Sequence, residues 1–221
     1  MGQLFAELGP GGADVTMNEI GVIRYRPMTM ADVGHVPTGC QGSREAVETR
    51  MAELGSAGIL GFDGEQHVAQ LQFRRYEPAL RSPKGLWDPR YWGDFGDRAP
   101  ELPVDSIAVF CYHVGQIDDS EARDRRYQGR GIGLALLDHL IEWAVASGYE
   151  AIVAKSTPPD RAVMSFMGGQ PVGAYIERGF ELLTSWVDEQ LRDVIIEKGL
   201  VSAGTDTDTA ARVGCCVKTL G

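Results

Sequence analysis

The sequence predicts one α/β (α+β) domain in which short strands and amphipathic helices alternate. Three observations predict it. Two apolar runs, Ala57–Phe62 and His67–Tyr76, are joined by a turn opening on Asp63-Gly64; Ile107–Val114 is strongly strand-like; and a glycine-rich segment after it opens an amphipathic helix. A length of 221 residues suits one domain with insertions better than two. With 43% hydrophobic and 24% charged residues the chain can fill a core, which argues against disorder or a fibrous repeat.

Residues 1–20 contain Gly9-Pro10-Gly11-Gly12, lack periodicity and read as an irregular lead-in, so the domain is expected over 21–221. A short β run over Gly21–Pro27 comes first, and Thr29 then caps a helix start. A helix over Ser43–Leu54, stopped by Gly55, precedes the hairpin. An insertion at 77–103 holds five prolines together with Trp87, Tyr91, Trp92 and Phe95, and reads either as a substrate lid or as rings packed on the body. After Ile107–Val114 comes a charged linker, Gly115–Arg126, and then the glycines. Leu134, Leu137, Ile141, Ala144 and Val145 fall on one helical face, with Leu140 beside them and Gly148 as the stop. Tyr149–Ala154 is a buried strand, and Asp160 opens a short helix that Gly168-Gly169 ends. Pro171 begins another that Gly179 ends. Phe180–Ser185, Val187–Lys198 and Ala211–Leu220 complete the chain as strand, helix and strand, with a second insertion at about 186–210.

The charge balance, 21 Lys+Arg against 31 Asp+Glu for a net of −10, excludes a nucleic-acid partner, because such affinity comes from clustered cations. It favours cationic ligands instead. No run approaches the roughly 20 apolar residues of a membrane span, and the opening Met1-Gly2-Gln3 lacks a basic, apolar leader, so no membrane partner and a cytoplasmic location are expected. Cys40, Cys111, Cys215 and Cys216 form no Cys-x-x-Cys pair and have no histidine at zinc-finger spacing; reduced thiols and no metal are expected. Cys111, in an apolar strand, reads as packing rather than as a nucleophile.

The glycine segment carries the chemistry. Backbone N–H groups at a helix start have no partner within the helix, and the helix dipole adds positive charge there, so Gln128 through Leu134 can hold a phosphate. The spacing is neither GxxxxGK[ST] nor GxGxxG; it is Gln128-x-x-Gly131-x-Gly133. This pattern resembles the pyrophosphate loop, Gln/Arg-x-x-Gly-x-Gly/Ala, of the GNAT superfamily of acyl-CoA-dependent N-acyltransferases. Three further segments fall in that family's order: Ile23-Arg24-Tyr25-Arg26-Pro27-Met28-Thr29, the Ala57–Tyr76 hairpin, and Tyr175-Ile176-Glu177-Arg178-Gly179-Phe180.

The resemblance implies a mixed, twisted, mostly antiparallel sheet flanked by helices and splayed between its fourth and fifth strands, with acetyl-CoA as co-substrate and no metal. By similarity, the backbone of Tyr112, His113 and Val114 pairs with the pantetheine arm. Gln128, Gly129, Arg130, Gly131, Ile132, Gly133 and Leu134 hold the diphosphate, and Tyr175 protonates the departing thiolate. The family's strand glutamate is missing, since Ile107, Ala108, Val109 and Phe110 stand there. Asp105 and His113 remain as candidate bases, while Glu65 in the hairpin turn is too exposed. The implied reaction is direct transfer of acetyl to an amine, cationic or aromatic, of a small molecule or peptide. A non-catalytic acyl-CoA sensor is the alternative, and the extension around Ser185–Thr209 leaves room for a homodimer.

Overall fold

In the computed structural model, which describes residues 21–120 and 122–221, seven strands form one open sheet. The lead-in expected over 1–20 lies outside the described residues. The strands are β1 (Ile23–Pro27), β2 (Gly58–Asp63), β3 (Gln66–Arg75), β4 (Ser106–Val114), β5 (Ala151–Ser156), β6 (Glu181–Val187) and β7 (Arg212–Thr219). Their spatial order is β1-β2-β3-β4-β5-β7-β6, and every neighbouring pair is antiparallel except β4 with β5. The hairpin turns through Gly64-Glu65, with Gly64 at a φ of 59°, the left-handed value that an Asp-Gly turn supplies.

Local sequence explains the helix ends. α1 (Arg44–Leu54) starts where the Ser43 side chain accepts a bond from the Ala46 N–H at 3.2 Å, and stops at Gly55 in the left-handed region. α2 spans Ile132–Ala146, α3 Arg161–Met167 with Asp160 as its cap, and α4 Val172–Ile176 with Pro171 one position before its first turn. α5 is Glu189–Lys198, and a short α6, Thr207–Ala210, was not foreseen. Among the described residues no helix is long and apolar enough to cross a membrane. Ile59 packs with Leu136, Leu137 and Leu140 of α2, whereas its neighbour Leu60 packs with Val47 and Met51 of α1. Because side chains alternate along a strand, the two helices cover opposite faces of the sheet.

Two expectations need correction. The helix start at Thr29 is a single 3₁₀ turn, Met30–Asp32, closed by Asp32 bonding back to Thr29. The buried stripe of α2 is Ile132, Gly133, Leu136, Leu137, Leu140 and Ala144, while Val145 is 58% exposed. The sheet sets the phase, since Leu136, Leu137 and Leu140 are the residues that join Ile59 in the main core.

The 77–103 insertion packs two of its four rings into the body and leaves Trp87 62% exposed. Tyr91 and Phe95 are buried, and the Lys155 ammonium on β5 donates to the Tyr91 carbonyl at 2.6 Å while standing 3.8 Å from that ring's centre. Burial lowers the Lys155 pKa to about 8.

Buried His67 on β3 makes the fold acid-sensitive. Burial holds its pKa at about 4, against an ordinary value of 6.5. Between those values the unfolded chain binds the proton and the folded one does not, so stability falls as the pH is lowered from 6.5 to 4, by up to ~3 kcal/mol. His67→Phe is expected to flatten that part of the stability–pH curve in urea titrations.

Candidate functional site

The sheet splits at its one parallel seam. β4 and β5 pair only through Ser106 with Ala151, Ile107 with Ile152 and Ala108 with Val153. Beyond Ala108, β4 stays bonded to β3 and faces no strand on its other side. Phe110 is an extra residue in the β3–β4 register, a bulge that sharpens the local twist and turns this edge away from β5.

A cavity of about 650 Å³ opens at the split, running from Tyr112 and Val114 to the start of α2. Gly129 and Gly131 have φ of 69° and 75°, a left-handed backbone that L side chains rarely adopt. Gly131 caps α2, and the first bond back into the helix is from Ala135 N–H to the Gly131 carbonyl at 2.9 Å. The N–H groups of Ile132, Gly133 and Leu134 are therefore free of the helix and line the cavity. Tyr127 anchors the loop, its hydroxyl donating to Asp63 at 3.0 Å.

The long linker does not disturb this entrance. Asp124 N–H donates to the Gly115 carbonyl at 2.8 Å, and a Cβ at Gly115 would lie 2.4 Å from the Asp124 carbonyl oxygen. Gly115 and Asp124 thus form a pinched neck, and only a glycine permits the close approach.

Arg123, Arg130 and Arg161 all line the cavity, and no carboxylate does among the described residues. A locally cationic pocket sits within a protein of net charge −10, as an anionic ligand requires. The far wall is the turn Gly168–Gln170, where a Cβ on Gly169 would collide with Thr157 and Trp92. The sequence reads the Gly168-Gly169 pair only as a helix end and gives no sign of Arg161 or of this wall, where Gly169 makes room for the Thr157 and Trp92 side chains.

Each sequence-predicted residue has a definite place. Gln128 through Leu134, Tyr112 and Val114 line the cavity. Tyr175 is buried behind it, its hydroxyl 3.3 Å from that of Tyr112, and burial raises the pKa of both, so both are O–H donors at neutral pH. His113 does not line the cavity; alternation along β4 turns it to the other face, where its Nδ1 lies 3.4 Å from Arg123. Asp105 precedes β4, exposed and 3.5 Å from Arg75, roughly 23 Å along the strand from Tyr112. Glu65 is fully exposed beside Arg24. Ile107 is buried in the main core.

Residues 95–168 match the model of the Acetyltransferase (GNAT) family. No curated protein sequence matches the chain. Among solved structures, the chain resembles yncA of Salmonella typhimurium with its cofactor acetyl-CoA, with a TM-score of 0.50 and 13% identity, covering 91% of this chain and 95% of that one. It also resembles a phosphinothricin acetyltransferase from Sinorhizobium meliloti in complex with AcCoA, at a TM-score of 0.49 and 12% identity over 90% and 89% of the two chains. An N-acetyltransferase from Staphylococcus aureus Mu50 gives 0.49 and 14% over 91% and 100%. At 13% identity the first of these likenesses concerns the fold alone.

Proposed function

We propose that this chain is an acyltransferase of the GNAT superfamily, whose model its residues 95–168 match, and that it transfers acetyl from acetyl-CoA to an amine by direct attack in a ternary complex. One observation carries the reading: a single cavity joins the unpaired β4 edge to the free amides of α2. Pantetheine adds to the edge at Tyr112–Val114 as an extra strand. The diphosphate rests on the amides of Gln128–Leu134, and Arg123, Arg130 and Arg161 meet its charge.

The amine nitrogen attacks the thioester carbonyl carbon, a C–N bond forms, and the C–S bond breaks on collapse of the tetrahedral intermediate. Tyr175 supplies the proton to the leaving thiolate, with the Tyr112 hydroxyl between it and the cavity. The attacking ammonium must lose its proton first. Neither candidate base lines the cavity, since Asp105 lies at the far end of β4 and His113 is turned to the other face, so water takes that proton. The acidic surface favours a cationic acceptor, small molecule or peptide, in the cytoplasm, and the Ser185–Thr209 segment is the candidate homodimer contact.

A carboxylate-free cavity also supports the second reading, a sensor that binds acyl-CoA without turnover. Free-thiol release from acetyl-CoA with a panel of mono- and polyamines separates the two. Transfer predicts amine-dependent release that rises with pH as the acceptor deprotonates; tight acetyl-CoA binding with no release on any amine assigns the sensor.

A further inference from the structure

On the sheet face opposite α2, the fold assembles three donor atoms that the acetyl-CoA cavity does not use. Cys111 and His113, two apart on β4, project to that face together. Cys40 comes from the 3₁₀ turn Gly39–Gln41, which is fastened to the sheet: Gln70 donates to the Pro37 carbonyl at 2.8 Å, and Gln72 to that of Thr38 at 3.0 Å. Gly39 sits so close that a Cβ on it would stand 2.9 Å from His113 Nε2. The Cys40 and Cys111 sulfurs are 3.6 Å apart, and all three ligand atoms lie within 4.8 Å of one another. His113 Nε2 is buried with no hydrogen-bond partner.

We propose that Cys40, Cys111 and His113 bind a thiophilic divalent cation of the zinc class, with water in the fourth position. The geometry sets the class. Two Zn–S bonds of about 2.3 Å at a tetrahedral angle span about 3.8 Å, and a Zn–N bond of about 2.0 Å puts the nitrogen about 3.5 Å from each sulfur. The sulfur separation already matches that edge and is far longer than the ~2.05 Å of a disulfide. Two thiolates and an imidazole select zinc over magnesium or calcium, which take oxygen ligands. The cation gives the orphaned Nε2 its partner and clips the Gly39–Gln41 turn to β4. Cys40 lies on an exposed turn, which leaves the fourth position open to water.

One neighbour works against the cation. Arg123 Nη2 faces His113 Nδ1 at 3.4 Å, which in the metal-free chain leaves the ring proton on Nε2. Binding displaces that proton to solvent or to Nδ1, and the Cys40 and Cys111 thiols release theirs to solvent as they become thiolates. Metal uptake therefore releases protons and weakens in acid.

Cobalt titration of the reduced full chain tests this without any acyl-transfer readout. One equivalent is expected to give thiolate-to-cobalt charge-transfer and tetrahedral ligand-field bands that zinc abolishes, and zinc should protect Cys40 and Cys111 from alkylation. Cys40→Ser, in an exposed turn, keeps the fold and should weaken binding at least about 100-fold. His113→Ala should weaken it in the same titration. Absence of the bands at one equivalent, binding unaltered in Cys40→Ser, or zinc that leaves both thiols open to alkylation overturns the proposal. A reduced chain that ignores metal and closes a Cys40–Cys111 disulfide in air does so as well.

Discussion

Gly131→Glu is expected to abolish acetyl-CoA binding while the domain stays folded. Gly131 caps α2 with a φ of 75°, and no atom lies within 4 Å of a Cβ built there, so a new side chain meets no protein atom. Its carboxylate instead enters the region assigned to the diphosphate. At an effective dielectric constant of 20, one like-charge pair at 4 Å costs about 4 kcal/mol, roughly three orders of magnitude in Kd. The left-handed backbone adds about 1–2 kcal/mol of strain for any L residue, which lowers the melting temperature but not the affinity in itself. Gly131→Ala isolates that strain, and its Kd should stay within about tenfold of the parent, an allowance of roughly one strain increment. Calorimetric titration with acetyl-CoA, alongside thermal melts of both variants, reads the two effects separately. Unchanged affinity in Gly131→Glu would falsify the diphosphate assignment.

Tyr175→Phe is expected to lower kcat by about 10²–10⁴, the usual contribution of a positioned acid, with the KM for acetyl-CoA altered little. The hydroxyl removed is buried, and burial keeps it protonated well above neutral pH. Activity should therefore not decline through titration of this acid as the pH rises toward 10. Loss of the hydroxyl also leaves Tyr112 without its partner at 3.3 Å, a stability cost of about 1–3 kcal/mol. Tyr112→Phe separates acid from relay: an equal fall in kcat means the proton passes through Tyr112, and an unaffected kcat means Tyr175 reaches the sulfur directly. Parent-like kcat in Tyr175→Phe reduces that tyrosine to a packing partner of Phe180, whose ring centre lies 5.2 Å away.

Much of this was legible from short stretches of sequence. Ser43 and Gly55 bracket α1, Asp63-Gly64 turns the hairpin, and Gln128–Gly133 enter α2, because caps, turns and glycine conformations act within a few residues. The phase of the α2 stripe was misread at Val145. Apolar periodicity along a helix says that one face is buried, but the sheet beneath chooses which, and here it takes the first turn. The pinched neck at Gly115 and Asp124 was equally hidden: composition gives a charged linker, not the bond that closes it.

The sequence by itself determined the order of the seven strands, the glycine-conditioned start of α2 and the family that this order resembles, since all of these follow from contacts between near neighbours in the chain. Only the tertiary structure decided that Arg123, Arg130 and Arg161 meet around one cavity, that Tyr175 lies behind Tyr112, that Asp105 stands at the far end of its strand, and that Cys40 comes to Cys111 and His113 across the sheet. Those meetings join residues tens of positions apart, and the splitting of β4 from β5, together with the faces onto which α1 and α2 pack, fixes them in a way no local pattern encodes.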